Sequence, residues 1–133
     1  MASELKVDKI TGVATAGSIS VTGEGNSTTT NLQQGLAKSW ANLNGSSFGL
    51  RDSFNIASAT DSGTGLYDHA FTSAMSNVNY SGTTNGHRDA DQAISIRKNE
   101  NATGSYRVLG NGHTNSTDTD TDSAFSQICG DLA

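Results

Sequence analysis

Three histidines, His69, His87 and His113, are the only imidazoles in the chain, and imidazole is the side chain best suited to ligate a transition metal or move a proton near neutral pH. None of them stands in a spacing that makes a zinc site or a catalytic set. His69, between Asp68 and Ala70, reads as a hydrogen-bonded structural residue of a strand. His87 and His113 flank glycine-bearing turns, where one imidazole per chain would meet its copies on the axis of a threefold assembly. The run TDTDTDS sets Asp118, Asp120 and Asp122 at alternate positions, as a calcium loop begins. An EF-hand needs glycine at its sixth position and a bidentate glutamate at its twelfth, and Ser123 and Cys129 stand there instead. The run reads as a solvated acidic loop, so no metal site is expected. Nor is any Ser or Cys set within a recognisable His/Asp constellation or any carboxylate pair in a credible cleft. The Gly-rich stretch GSISVTGEGN lacks the lysine and long helix of a phosphate loop. Tyr67, Tyr80, Tyr106 and Trp40 could stack on sugar rings if they clustered at loop tips, but each reads first as core or interface. Catalysis is therefore not expected, and neither is a cofactor.

The elements that must position these residues are constrained by composition. Hydrophobic residues make up 33% and aromatics 6% of 133 residues, below globular averages, while Ser, Thr, Asn and Gly take roughly half the chain. Such a chain folds through strands and turns. Proline is absent and charged residues are only 16%, which argues against a proline-rich stalk and against disorder driven by charge repulsion. The net charge of −5 gathers from Asp52 onward, leaving no basic footprint for nucleic acid. No apolar run approaches a membrane span and MASELKVDKITG has no apolar signal core, so synthesis and assembly in a cytoplasm are expected. The five Asn-x-Ser/Thr sequons then carry no glycosylation. Cys129, the single cysteine, permits no internal disulfide and reads as a small buried hydrophobe.

The first 50 residues are too polar to fold alone. In LKVDKITGVATAGSISVTGEG, the pairs Leu5/Val7, Ile10/Val13 and Ile19/Val21 suggest two or three short strands cut by glycines. GNSTTTN forms a polar turn able to cap a helix start. In LQQGLAKSWANL, Leu32, Leu36, Trp40 and Leu43 fall at helical spacing, which could also make a seam between subunits, whereas Gly35 disfavours a long helix and Ser39 to Leu43 alternates as a strand does. A short helix over 30–36 and a strand through Leu43 are expected.

From Phe54 the strand pattern is plainer. FNIASAT and LYDHAFT flank Asp61-Ser62-Gly63-Thr64-Gly65, a hairpin signal. Val78 to Thr83, Gln92 to Arg97, Ser105 to Leu109 and Ala124 to Cys129 are further strands, and regular short strands between turns predict an antiparallel sandwich. Phe54, Ile56, Tyr67, Phe71, Tyr80, Ile94, Ile96, Tyr106, Val108 and Phe125 are the expected inner face. So thin a core favours oligomerisation. The expected fold class is all-β: a small antiparallel β-sandwich module over 37–133 on an extended strand and short-helix arm over 1–36, the whole trimeric.

MASELKVDKITGVATAGSISVTGEGNSTTTNLQQGLAKSWANLNG, RDSFNIASATDSGTGLYDHAFTSAMSNVNY and the closing CGDLA resemble tail-fibre and related fibrous virion proteins of tailed bacteriophages, particularly from aquatic environments. The similarity covers most of the chain, with about Gly82 to Thr121 as variable territory. It implies an N-terminal segment that attaches to the virion, a homotrimer, and a β-module displayed outward. On that resemblance Leu5, Val7, Ile10, Ile19, Val21, Leu32, Leu36 and Trp40 serve attachment and oligomerisation. The brevity of the chain suits a short fibre or fibre tip, with a capsid decoration or cement protein as the alternative. Host-surface glycan or receptor contact would fall to three Asn/Ser/Thr-rich loops carrying Asn85, His87, Arg88 and Asp89, then Asn99 and Asn101, then Asn111, His113 and Asn115.

Overall fold

The computed structural model describes residues 4–12, 19–23, 25, 28–87, 92–96 (backbone alone), 100–112 and 118–133. The chain divides into two compact units, Met1–Leu36 and Ala37–Ala133. In the first, β1 (Ser20–Thr22) pairs antiparallel with β2 (Thr29–Asn31), and a single helical turn, α1 (Leu32–Gly35), comes directly after. The turn starts where it does because the Asn31 side chain accepts a hydrogen bond from Gln34 N at 3.0 Å, supplying a partner for one otherwise unsatisfied helix N–H. The expected cap and short helix are thus present, the helix confined to four residues, but Thr29–Asn31 of the expected turn is strand β2, and residues 26 and 27 lie outside the described residues. Residues 4–12 form no strand, contrary to the alternation of Leu5/Val7 and the start of Ile10/Val13; Val13 lies outside the described residues. A strand needs a partner to complete its hydrogen bonds, and period-two alternation does not supply one.

The second unit is built from β3 (Ser39–Asn44), β4 (Gly49–Phe54), β5 (Ile56–Gly63), β6 (Leu66–Phe71), β7 (Ser81–His87), β8 (Gln92–Ile96), β9 (Ser105–Gly112) and β10 (Ser123–Cys129). They form two four-stranded antiparallel sheets, ordered β4-β3-β10-β7 and β5-β6-β9-β8. One hydrophobic cluster joins Leu43, Ala124 and Ile128 of the first sheet to Tyr67, Phe71, Tyr106 and Val108 of the second, so the sheets face each other as a sandwich. The first and last strands of the unit, β3 and β10, are neighbours. The expected hairpin is there: Gly63 and Gly65 take φ of 133° and 69° between β5 and β6, a backbone that side chains with a Cβ rarely adopt. A Cβ on Gly65 would also stand 2.6 Å from Gly110 O.

The two inner faces are unequal, and that decides which side chains point out. The first sheet turns Ser39, Ala41, Ala124 and Ser126 inward with Leu43 and Ile128, whereas the second turns in Tyr67, His69, Phe71, Tyr106 and Val108. Large rings of one sheet fill the space left by small side chains of the other, and Tyr106 Oη shares a 2.7 Å hydrogen bond with Ser126 Oγ across the gap. Two expected core residues are corrected by this arrangement. Phe54 and Phe125 are 52% and 42% exposed, on the outer face of the first sheet, because the alternate phase of each strand is the one that fits beneath the rings. Ile94 and Ile96 have no described side chains, and Met75, which bridges to Leu132, joins the core instead. Cys129 is half-buried rather than a core residue.

Candidate functional site

Three exposed aromatic side chains stand on the outer face of the first sheet, held there by strand register. Trp40 on β3 lies opposite Phe54 on β4 and Gln127 on β10, and Gln127 lies opposite Thr83 on β7. The neighbouring row runs Asp52, Asn42, Phe125, Asn85 across the same four strands. Trp40, Asn42, Thr83, Asn85, Phe125 and Gln127 line a shallow, open concavity of about 480 Å³, floored by the strands at Ala41, Thr84 and Ser126. None of the described lining residues is ionisable. Central strands fix the positions of Trp40 and Phe125, since β3 and β10 are each paired on both sides. Along the same face, Arg51 is tied down by its guanidinium, which donates to Asp122 O at 2.7 Å and Ser123 Oγ at 3.0 Å. The face offers apolar rings alternating with amides and a hydroxyl, the mixture of apolar area and polar groups found in ligand clefts.

Of the sequence candidates for stacking, only Trp40 is available: Tyr67, Tyr80 and Tyr106 are at most 9% exposed. Burial pushes the Tyr80 and Tyr106 hydroxyls up to about 12. Tyr80 Oη donates within 3.0 Å of both Ala102 O and Ser105 O. Size alone assigns Phe125 and Phe54 to the core, yet β10 alternates Ala124, Ser126 and Ile128 against Phe125 and Gln127, and the smaller set is the buried one. Trp40 belongs to the second unit rather than to the segment that carries Leu5, Val7, Ile10, Ile19, Val21, Leu32 and Leu36. In that segment Leu5, Val7, Ile10, Val21 and Leu36 are 52 to 81% exposed, while Ile19 and Leu32 are half-buried.

His87 pairs with Ser123 at the end of β7 and Gly112 with Gln92 at the end of β9, whereas Asn101 precedes the start of β9. Asn85 lines the concavity, His87 is exposed, and Asn111 bridges to Asp118. Asn101 and Asn111 each bury a side-chain oxygen that has no hydrogen-bond partner. Arg88, Asp89, Asn99, His113 and Asn115 lie outside the described residues.

The acidic run is a clamp rather than a solvated loop. Asp120 Oδ1 accepts from Gly65 N at 2.7 Å, Asp122 Oδ1 accepts from Ser46 Oγ at 2.6 Å, and Thr121 N donates to Tyr67 Oη at 3.0 Å. The Thr121 carbonyl in turn accepts from Gly45 N and Ser46 N. The approach is so close that a Cβ on Gly45 would fall 2.0 Å from Tyr67 Oη. Gly45-Ser46-Ser47-Phe48-Gly49 does have the G-x-S-x-G spacing of a nucleophile elbow, although no His/Asp constellation marks it in the sequence. It is the turn between β3 and β4, with no helix after it, so the strand-to-helix geometry of an elbow is missing. Among the described residues no group of three His, Cys, Asp or Glu side chains is placed to hold a metal ion.

His69 is a core residue, but not a hydrogen-bonded one as expected. It is 1% exposed, stacks on Tyr106 with ring centroids 4.9 Å apart, and neither ring nitrogen has a partner of hydrogen-bonding geometry. Burial pushes its pKa down to about 4, outweighing the Tyr67 backbone and the Asp68 carboxylate, which favour the charged ring. On the outer face of the second sheet, Asp68 takes both Nε and Nη2 of Arg107, at 2.5 and 2.7 Å. That pairing outweighs partial burial and holds the Asp68 carboxyl below its ordinary range, helped by a hydrogen bond from Ser62.

Comparison with protein-family models, curated proteins and solved structures found no match to any of them.

Proposed function

We propose that this chain is a non-enzymatic bacteriophage virion structural protein, a short homotrimeric tail fibre or fibre tip that attaches through residues 1–36 and meets the host surface with its β-module. The observation that carries this reading is the outer face of the first sheet, where Trp40, Phe54 and Phe125 are held out to solvent on a rigid support. Exposed aromatic residues flanked by amides are a contact surface, and large rings add much contact area at small entropic cost. The first unit supports the attachment role: Leu5, Val7, Ile10, Val21 and Leu36 expose apolar side chains that a neighbouring virion chain would cover. The resemblance of both segments to fibrous virion proteins points the same way. A trimer would present three copies of the face, turning a weak contact into a durable one.

Imaging the intact particle by cryo-electron microscopy, with a gold-labelled antibody against residues 37–133, tests the placement. Density and label at the tail or its tip are expected. Label spread over the head in threefold positions would make the chain a capsid decoration protein instead.

A further inference from the structure

We infer that the concavity between β3, β10 and β7 binds a neutral saccharide, a refinement that rests on the surface-contact reading above. A pyranose ring has one or both faces made of C–H bonds and an edge of hydroxyls, so its site needs an aromatic ring beneath the face and amides at the rim. Phe125 lies between Asn42 and Asn85, its cross-strand neighbours, and Trp40 lies beside Gln127. Asn42 Oδ1 accepts from Arg51 and Asn85 Oδ1 from Gly86 N, which orients both amides with their N–H groups left to donate to hydroxyls, while the Gln127 oxygen can accept from one. The volume of about 480 Å³ falls within the range of small-ligand clefts, roughly 300–1,000 Å³. Charge selects the class of sugar: none of the described lining residues is ionisable and the chain carries −5 overall. The cation beside the concavity, Arg51, reaches Asn42 Oδ1 at 3.4 Å but is committed to Asp122 O and Ser123 Oγ, so the lining suits a neutral sugar better than an anionic one.

A second copy of the chain is the other occupant to weigh. Face-to-face pairing would bury the Asp52 carboxylate together with the amide N–H groups of Asn42 and Asn85, whose oxygens alone have partners within the chain, and a buried polar group left unsatisfied is penalised. A saccharide brings a hydroxyl to each.

Trp40 is the only tryptophan, so its fluorescence reports from within the site. The full-length chain would be titrated with chitotriose, cellotriose and maltotriose, and with 3′-sialyllactose as a charged comparison. A saturable change in emission with at least one neutral sugar is expected, with a millimolar dissociation constant suited to an open site. Phe125→Ala and Gln127→Ala should each weaken it at least tenfold with the thermal midpoint unchanged, and Thr60→Ala on the other sheet should leave it intact. Silence towards all three neutral sugars, response to the sialylated sugar alone, or emission that depends only on protein concentration, as self-association would give, each overturns the inference. The surface-contact reading fails separately, when the chain does not bind host cells at all.

Discussion

His69 lies flat on Tyr106 in a core that leaves both its nitrogens unpartnered, so the folded protein holds it neutral while the unfolded chain does not. Its pKa is about 4 folded against roughly 6.5 in a free chain. Above pH 6.5 both states are neutral and the residue adds no pH dependence. As pH falls from 6.5 towards 4 the unfolded chain binds a proton that the folded one refuses, and stability declines by up to about 3 kcal/mol. Urea midpoints at pH 7 and pH 4.5 should show this loss, and His69→Phe, which keeps a ring against Tyr106, should largely abolish it. An unchanged loss in that variant would place the acid sensitivity elsewhere. Asp68 is distinguishable by its window: its carboxyl is held below the ordinary 3.8 by Arg107, so its contribution is present above that value and disappears only as pH falls further. At this scale the sequence reveals the buried residues Tyr67, Phe71, Tyr80, Tyr106 and Val108 but inverts Phe125 and Ser126. Side-chain size is visible in a sequence; the ring of Tyr106 arriving from the facing sheet to bond Ser126 is not.

Between elements, one residue makes the corner where β4 leaves the first sheet and β5 enters the second. Asn55 takes φ of 57°, a left-handed backbone that asparagine tolerates better than most residues. Its side chain donates to Lys38 O and Ser73 O and accepts from Ser73 N at 2.7 Å, fixing three segments at that end of the sandwich. Asn55→Ala should cost about 2–4 kcal/mol, from the lost hydrogen bonds and the strained backbone. Asn55→Gly keeps the backbone free and should be less harmful by about 1 kcal/mol. Denaturation of the two variants side by side separates the contributions; equal losses would mean that backbone strain plays no part. The hairpin around Gly63 and Gly65 and the strands β8, β9 and β10 are legible in the sequence because glycine turns bracket alternating residues. β4 is not, since it forms a sheet edge and an irregularity in its pairing with β3 breaks the alternation, setting Leu50 opposite the buried Leu43 and Phe54 opposite the exposed Trp40. The placement of Trp40 and Phe125 in one concavity depends on β3 and β10 being neighbours, a pairing of strands distant in the chain that local pattern cannot reveal.

For the whole molecule, the proposed trimer and the proposed contact face belong to different parts of the chain and can be tested apart. Sedimentation equilibrium of the full-length chain should give three times the monomer mass, and a chain starting at Ala37 should sediment as a monomer with its strand signature retained in circular dichroism. A trimer that survives loss of residues 1–36 would move the association surface into the module. The first sheet's outer face is the part proposed to meet the host, and cell binding tests this most directly. Fluorescently labelled full-length protein and its Trp40→Ala/Phe125→Ala double variant would be titrated onto host cells, with thermal melting as the check on folding. Saturable binding by the wild type, weakened at least tenfold in a double variant that melts at the same temperature, is the expected result. Equal binding by both proteins, or no binding by either, would contradict the proposal that this face is where the protein makes contact.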